Sequence, residues 1–378
     1  MDRRLALSRD HGVRRIAILR ALYLGDLLCA TPAFRALRER FPRAELTLIG
    51  LPWAAEFVAR SPHLDRFLRF PGYPGLEDEP PDPAGPDACF TAARAAHYDL
   101  ALQMHGAGAA SNGFVAALGA RRTLGYRRGA ADPRLDESLP YPEDEHETRR
   151  WLRLVAALGA RTDDHRPVFP VSTVEVASAT ALLAGHPARS GQRPRPLVGL
   201  HVGAKDPARR WPSGRFAALG DLLWARHGAA LVLTGNAAER PIAEEVLRDL
   251  RAPVLDLVGR TDLGLFAAAI AGLDLLVTND TGASHLAAAA GTPSVILFGP
   301  TRPEHWSPLD HTRHRSLDAR ILVPWCADGA CALRHLPVGP VLAACDELLR
   351  LRGTAPAGYS TSPAPPRSAR ASRAEMEG

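Results

Sequence analysis

The segment LDLLVTNDTGASHLAAAAGTPSVILFGPT, residues 273–301, decides the fold. An apolar run leads straight into Asn279, Asp280, Thr281 and Gly282, and an Ala-rich helical pattern over 283–290 begins at once. A second apolar run at 294–298 ends in Phe298, Gly299, Pro300 and Thr301. Continuous rather than alternating apolar runs suit strands buried on both faces, so this stretch predicts one βαβ unit of a parallel sheet.

A helix opening directly after such a strand offers free amide donors and the positive end of its dipole, which together bind phosphate. Thr281 suits the cap, Gly282 lets a ligand approach the backbone, and His285 lies in the first turn. Taken alone, Asp-Thr-Gly would read as a plain helix cap beside a buried histidine. Its surroundings favour a ligand site. In HVGAKDPARRWPSGRF, residues 201–216, a strand ends in a loop carrying Lys205, the only lysine, with Arg209 and Arg210. Open α/β sheets bind ligands at that end of a parallel strand, the competing reading being a solvated basic loop.

The alternation continues in both directions. Strands are expected at 15–20, 45–50, 66–70 and 99–104, then at 197–202, 230–234, 254–258, 275–279 and 294–298. Breaker-rich stretches fall at 71–86 and 185–196. The expectation is two doubly wound α/β domains: 1–185, a linker at 186–196, and 197–353. The Pro-, Ser- and Ala-rich tail, 354–378, is expected to be disordered.

With 46% hydrophobic residues in 378, the chain can bury a substantial core. Its formal charge of +5 suits an anionic partner. The arginines are scattered without interleaved aromatics, which argues against nucleic acid. No apolar stretch reaches membrane-span length and the N-terminus lacks a signal-peptide core, so a cytoplasmic protein with at most peripheral membrane contact is expected. Five cysteines form a sparse, odd set for a disulfide scaffold. Cys326 and Cys331, with His335 nearby, read as structural thiols, because a single widely spaced pair is a poor zinc set.

Near the start, IAILRALYLGDLLCATPAFRALRERFP, residues 16–42, sets Gly25 and Asp26 after the first strand. An aspartate there can cap the helix; on the crevice side of a two-domain protein it can be a general base. Together these segments resemble glycosyltransferase family nine, the lipopolysaccharide heptosyltransferase-like proteins, over residues 16–349. The pieces that carry the resemblance are Gly25-Asp26, Arg209-Arg210-Trp211-Pro212, Asp280-Thr281-Gly282 with His285, and Phe298-Gly299-Pro300-Thr301.

The resemblance implies a GT-B architecture, two facing Rossmann-like domains around a deep cleft, and an inverting transfer of heptose or a related sugar, with ADP-heptose as donor. It implies Asp26 as general base and donor contacts from Lys205, Arg209, Glu239, Asp280, Thr281, Gly282 and His285. Arg20, Gly25 and His105 fall on the acceptor side. The acceptor implied is a glycolipid or saccharide at the inner membrane face, with neither metal nor cofactor. The chain departs from the family in having Leu22, Tyr23 and Leu24 before the Gly-Asp pair, and Arg209 where members often carry lysine.

Two other readings stay open, a nucleotide-sugar 2-epimerase of the same fold and a non-catalytic nucleotide-sugar binder. A nicotinamide enzyme fits poorly. Gly106-x-Gly108 is followed by Ser111 where a third Gly or Ala belongs, and Tyr126-Arg127-Arg128 stands where a ribose-binding acid would.

Overall fold

The computed structural model describes residues 12–76, 85–188 and 195–351. The expected tail, residues 77–84 of the loop at 71–86 and residues 189–194 of the linker lie outside the described residues.

The first half runs β1 (Arg15–Leu19), α1 (Leu24–Arg40), β2 (Glu45–Gly50), α2 (Ala54–Arg60), β3 (Arg66–Arg69), α3 (Gly85–Ala95), β4 (Leu100–Gln103), α4 (Ser111–Ala117), β5 (Thr123–Arg127) and β6 (Glu137–Pro140). Helices α5 (Glu147–Ala156) and α6 (Thr173–Ala184) follow. The second half begins with β7 (Leu197–His201), α7 (Ser213–His227), β8 (Ala230–Thr234), α8 (Arg240–Asp249), β9 (Val254–Asp256) and α9 (Leu263–Ala271). It continues through β10 (Leu275–Asn279), α10 (Gly282–Ala290), β11 (Ser294–Phe298), α11 (Pro303–Trp306), β12 (His314–Asp318), α12 (Ala319–Leu322), α13 (Gly329–His335) and α14 (Val338–Leu351).

Each half folds as a six-stranded parallel sheet. The orders are β3-β2-β1-β4-β5-β6 and β12-β11-β10-β7-β8-β9, so the two halves share one doubly wound topology. The chain reverses direction across each sheet between β1 and β4, and again between β7 and β10. These switch points are where such folds open a crevice beyond the strand ends.

The central strands RIAIL, ALVLT, LLVTN and SVILF are buried nearly throughout, as strands with helices on both faces must be. Three strands escape the apolar-run criterion. β5 contains Gly125, β6 is the edge strand ESLP and β12 the edge strand HRSLD, so none shows a continuous apolar run.

One apolar cluster covers the outer face of each sheet. The third is continuous across both halves, running from Ile16, Leu28 and Trp151 to Leu183, Ile270 and Leu286. Helix α6 carries a capping box of Ser172 and Glu175 and packs on α9 of the second half. His186 follows, its Nε2 donating to the Leu231 carbonyl at 2.8 Å. Among the described residues no helix is long and apolar enough to cross a membrane.

The cysteines differ from expectation. Cys326 and Cys331 form a disulfide, because Asp328 caps α13 and turns the chain until the two Cα atoms are 5.6 Å apart. Cys29, Cys89 and Cys345 are buried and take part in no disulfide among the described residues.

Candidate active site between the two switch points

Beyond β1 the chain enters the first switch point. Arg20 is fully buried there. Its Nε donates to the Asp26 carbonyl at 2.9 Å and its Nη1 to the Met104 carbonyl beyond β4 at 2.7 Å. The guanidinium also lies 4.7 Å over the Trp151 ring. These contacts draw β1, the start of α1 and the exit of β4 together around one cation.

Asp26 is not the cap the sequence suggested. Helix α1 starts at Leu24 with Tyr23 at the cap position and no side-chain cap bond, so Asp26 falls inside the first turn. Its carboxylate is 25% exposed, with Oδ1 4.0 Å from Arg20 Nη2. Burial pushes its pKa up to about 6; Arg20 opposes the rise, Glu147 adds to it and Arg209 opposes it. A carboxylate so placed is ionised at neutral pH yet far more basic than an ordinary aspartate, which suits proton abstraction.

The second switch point meets the first. Thr281 caps α10, its Oγ1 accepting from the Ala283 amide at 3.3 Å. His285, one turn on, points back at α1. A Cβ built on Gly25 would stand 2.7 Å from His285 Cδ2, so only glycine permits this approach. Cys29 Sγ is 3.5 Å from His285 Nδ1. Burial drives the Cys29 thiol far above its usual range, so it stays protonated beside the ring. Burial also lowers the His285 pKa, which keeps the ring neutral.

Asp280 is buried. It accepts from Thr301 Oγ1 at 2.6 Å and lies 3.6 Å from Arg209 Nη1, joining the Arg209 loop to both strand ends predicted from sequence. Lys205 reaches across to the first half, its Nζ 3.7 Å from the Tyr23 ring centroid and touching the hydroxyl. Glu239 accepts from the Asn236 amide at 2.8 Å. Its carboxylate fills the space over Gly203, where a Cβ would collide with it. His105 is buried beyond β4 with Nδ1 unpartnered, its pKa pushed down to about 4 by burial and then by Arg20.

The structure therefore brings Arg20, Gly25, Asp26 and His105 to one switch point and Lys205, Arg209, Glu239, Asp280, Thr281, Gly282 and His285 to the other. Sequence reasoning missed three contributors. Asn279 accepts from the Trp211 amide at 3.0 Å and donates to the carbonyls of Val202 and Gly203 at 3.1 and 3.0 Å, tying the Arg209 loop to β10. Its position at the end of an apolar strand was the available signal. The others, Glu147 and Tyr23, have none in the local pattern.

An open groove elsewhere between the halves is lined by Pro142, Glu143, Glu145, His146, Arg149 and Glu304, and its acidity makes it a poor seat for a phosphate. Among the described residues, one group has metal-ligand chemistry, Cys326, Cys331 and His335, with ligand atoms within 4.8 Å of one another. With its two sulfurs bonded together neither is a thiolate, the form that ligates a metal.

The profile of glycosyltransferase family 9 (heptosyltransferase) matches residues 88–320. The lipooligosaccharide heptosyltransferase 2 of Haemophilus influenzae is 27% identical over 305 residues, which cover 78% of this chain and 86% of that protein. Among solved structures, the glycosyl transferase family 9 protein of Veillonella parvula superposes with a TM-score of 0.75 at 20% identity, covering 91% of this chain and 99% of the other. The Escherichia coli ADP-heptose lps heptosyltransferase II gives 0.70 at 22%, covering 90% and 99%. These structures establish the shared two-sheet GT-B fold, and the profile covers well over half of the chain, including the Arg209 loop, Asp280 and α10. The chain belongs to glycosyltransferase family 9, the heptosyltransferases.

Proposed function

We propose that this chain transfers a heptose from ADP-heptose to a lipopolysaccharide-core saccharide with inversion, Asp26 acting as general base. The observation that carries the reading is the close approach of the first turn of α1, which carries Asp26, to the capped N-terminus of α10, Gly25 lying against His285 and Leu24 against Gly282. A base at one switch point faces a phosphate-binding helix end at the other.

In this reading Asp26 takes the proton of the acceptor hydroxyl as its oxygen attacks the anomeric carbon. The bond from that carbon to the diphosphate breaks, and ADP leaves. Arg209, the free amides around Thr281 and Gly282, and the His285 ring meet the charge that develops on the leaving group. That set of donors supplies the stabilisation a metal would otherwise give, so no cofactor is included. Lys205 and Glu239 belong to the donor side, with Arg20, Gly25 and His105 on the acceptor side. The enzyme would work in the cytoplasm against the inner membrane face, where a lipid-linked acceptor is presented. The acceptor chemistry of relatives such as the Haemophilus influenzae enzyme supports this.

The test is ADP release from ADP-heptose with a core-truncated lipopolysaccharide as acceptor. Asp26→Asn is expected to lower kcat by about 10²- to 10⁴-fold while leaving ADP affinity intact. Full activity in that variant, or an absence of both ADP binding and turnover in the native chain, would overturn the reading. Conversion of the nucleotide sugar without acceptor would indicate an epimerase instead.

A further inference from the structure

The buried cluster behind Asp26 holds more than a base requires. Glu147 opens α5 in the stretch EDEHETRR, residues 143–150, which looks like a solvated charge run, yet its side chain is only 6% exposed. Its Oε1 accepts from Arg20 Nη2 at 3.0 Å and from Trp151 Nε1 at 2.7 Å. Its Oε2 accepts from Arg150 Nη1. Arg150 is itself anchored, its Nη2 donating to the Glu145 carbonyl at 2.8 Å. Glu147 is therefore a fixed carboxylate whose partner, Arg20, grips the Asp26 carbonyl through Nε and Nη2.

That grip has an electrostatic side. A buried guanidinium without a counter-charge is strongly unfavourable, and Asp26 does not supply a close one, its Oδ1 standing 4.0 Å away. Glu147 does. Burial raises the Glu147 pKa, but Arg20 and Arg150 outweigh that and hold it below the usual range, so it is ionised.

We propose that Glu147 is a positioning residue for Asp26: it holds the Arg20 guanidinium on the Asp26 carbonyl and takes up its charge, so the base keeps both its place and its affinity for a proton. The inference rests on Asp26 being the base. The charged groups facing Asp26 are Arg20 at the exit of β1, Glu147 on α5 and Arg209 in the loop after β7. Cys29 and His285, the titratable groups beside it on α1 and α10, are uncharged.

Glu147→Gln preserves the shape of the cluster and removes the charge. Arg20 then acts on Asp26 uncompensated and favours its ionised form. The acid limb of kcat/KM, expected near pH 6 in the native enzyme, moves to lower pH, and the weakened base slows the plateau.

The experiment measures kcat/KM for ADP-heptose and the core-truncated acceptor across the acid limb, with ADP affinity measured alongside. In Glu147→Gln the limb is expected to drop by about one pH unit. The plateau should fall about three- to tenfold with ADP affinity unchanged. Glu147→Asp, which keeps the charge but shortens the reach, should hold the native limb at a lowered plateau. An unmoved limb in Glu147→Gln, or ADP affinity lost in step with activity, overturns the proposal. Should the Gln variant fail to fold, a native plateau in Glu147→Asp does the same. An inactive Asp26→Asn beside an unmoved limb in Glu147→Gln sinks only the role of Glu147, whereas a fully active Asp26→Asn sinks the base as well.

Discussion

Burying the Asp26 carboxylate opposes folding at neutral pH, because the ionised form is better solvated in the unfolded chain. With a folded pKa near 6 against an ordinary 3.8, the native state binds the extra proton. The stabilisation this gives is fully present below pH 3.8 and is lost as pH rises through 6. Asp26→Asn should therefore raise stability by about 1–3 kcal/mol above pH 7, an advantage that vanishes near pH 4, and urea unfolding at both pH values reads it directly. A variant at once inactive and more stable is the mark of a residue kept for chemistry. Gly25 makes the opposite case. Gly25→Ala thrusts a methyl at the His285 ring, and the expected loss is about 1–3 kcal/mol in urea unfolding, with a raised KM for the donor.

At the scale of elements, the donor loop hangs on Asn279 more than on any charged side chain. Removing that amide strands the Trp211 N–H and two carbonyls of the β7 exit. Asn279→Ala should cost about 2–4 kcal/mol and weaken ADP binding in a calorimetric titration. The same segment shows what could be read in advance. β10, α10 and β11 were legible because strands covered on both faces must be apolar throughout, and because Thr281 and the small residues behind it leave few alternatives to a capped helix. Edge strands β6 and β12 were not legible, since half their surface meets water and their polar residues match a loop equally well. Glu147 was hidden for a related reason. Charges crowd the start of α5, and only the tertiary placement of Arg20, Arg150 and Trp151 separates the buried member from its exposed neighbours.

For the molecule as a whole, acid is the weak side. His63, His105, His146 and His314 are each pushed down from 6.5 to about 4, in every case chiefly by burial. The unfolded chain takes up these protons first, so their neutral burial costs nothing above pH 6.5 and stability falls as pH drops from 6.5 towards 4. Asp26 works in the other direction but is one group against four. The expected outcome is a Tm that declines steadily across that window, measured by calorimetry at constant ionic strength. His146 also joins the halves, its Nε2 donating to the Ser307 carbonyl at 2.7 Å, and its protonation at Nδ1 removes the acceptor of the Thr148 amide at the start of α5.

The apolar cluster that runs unbroken from Ile16 to Leu286 has an evolutionary consequence. Two sheets of identical strand order invite the view that donor and acceptor halves are interchangeable cassettes. Here the faces of α1, α5, α6, α9 and α10 fill one another's hollows, so a chimera cut between the halves would inherit cavities on both sides. New sugar specificity is therefore reached more readily by point substitution in the loops beyond β7 and β10 than by recombination, and a graft succeeds only when α6 travels with the second half.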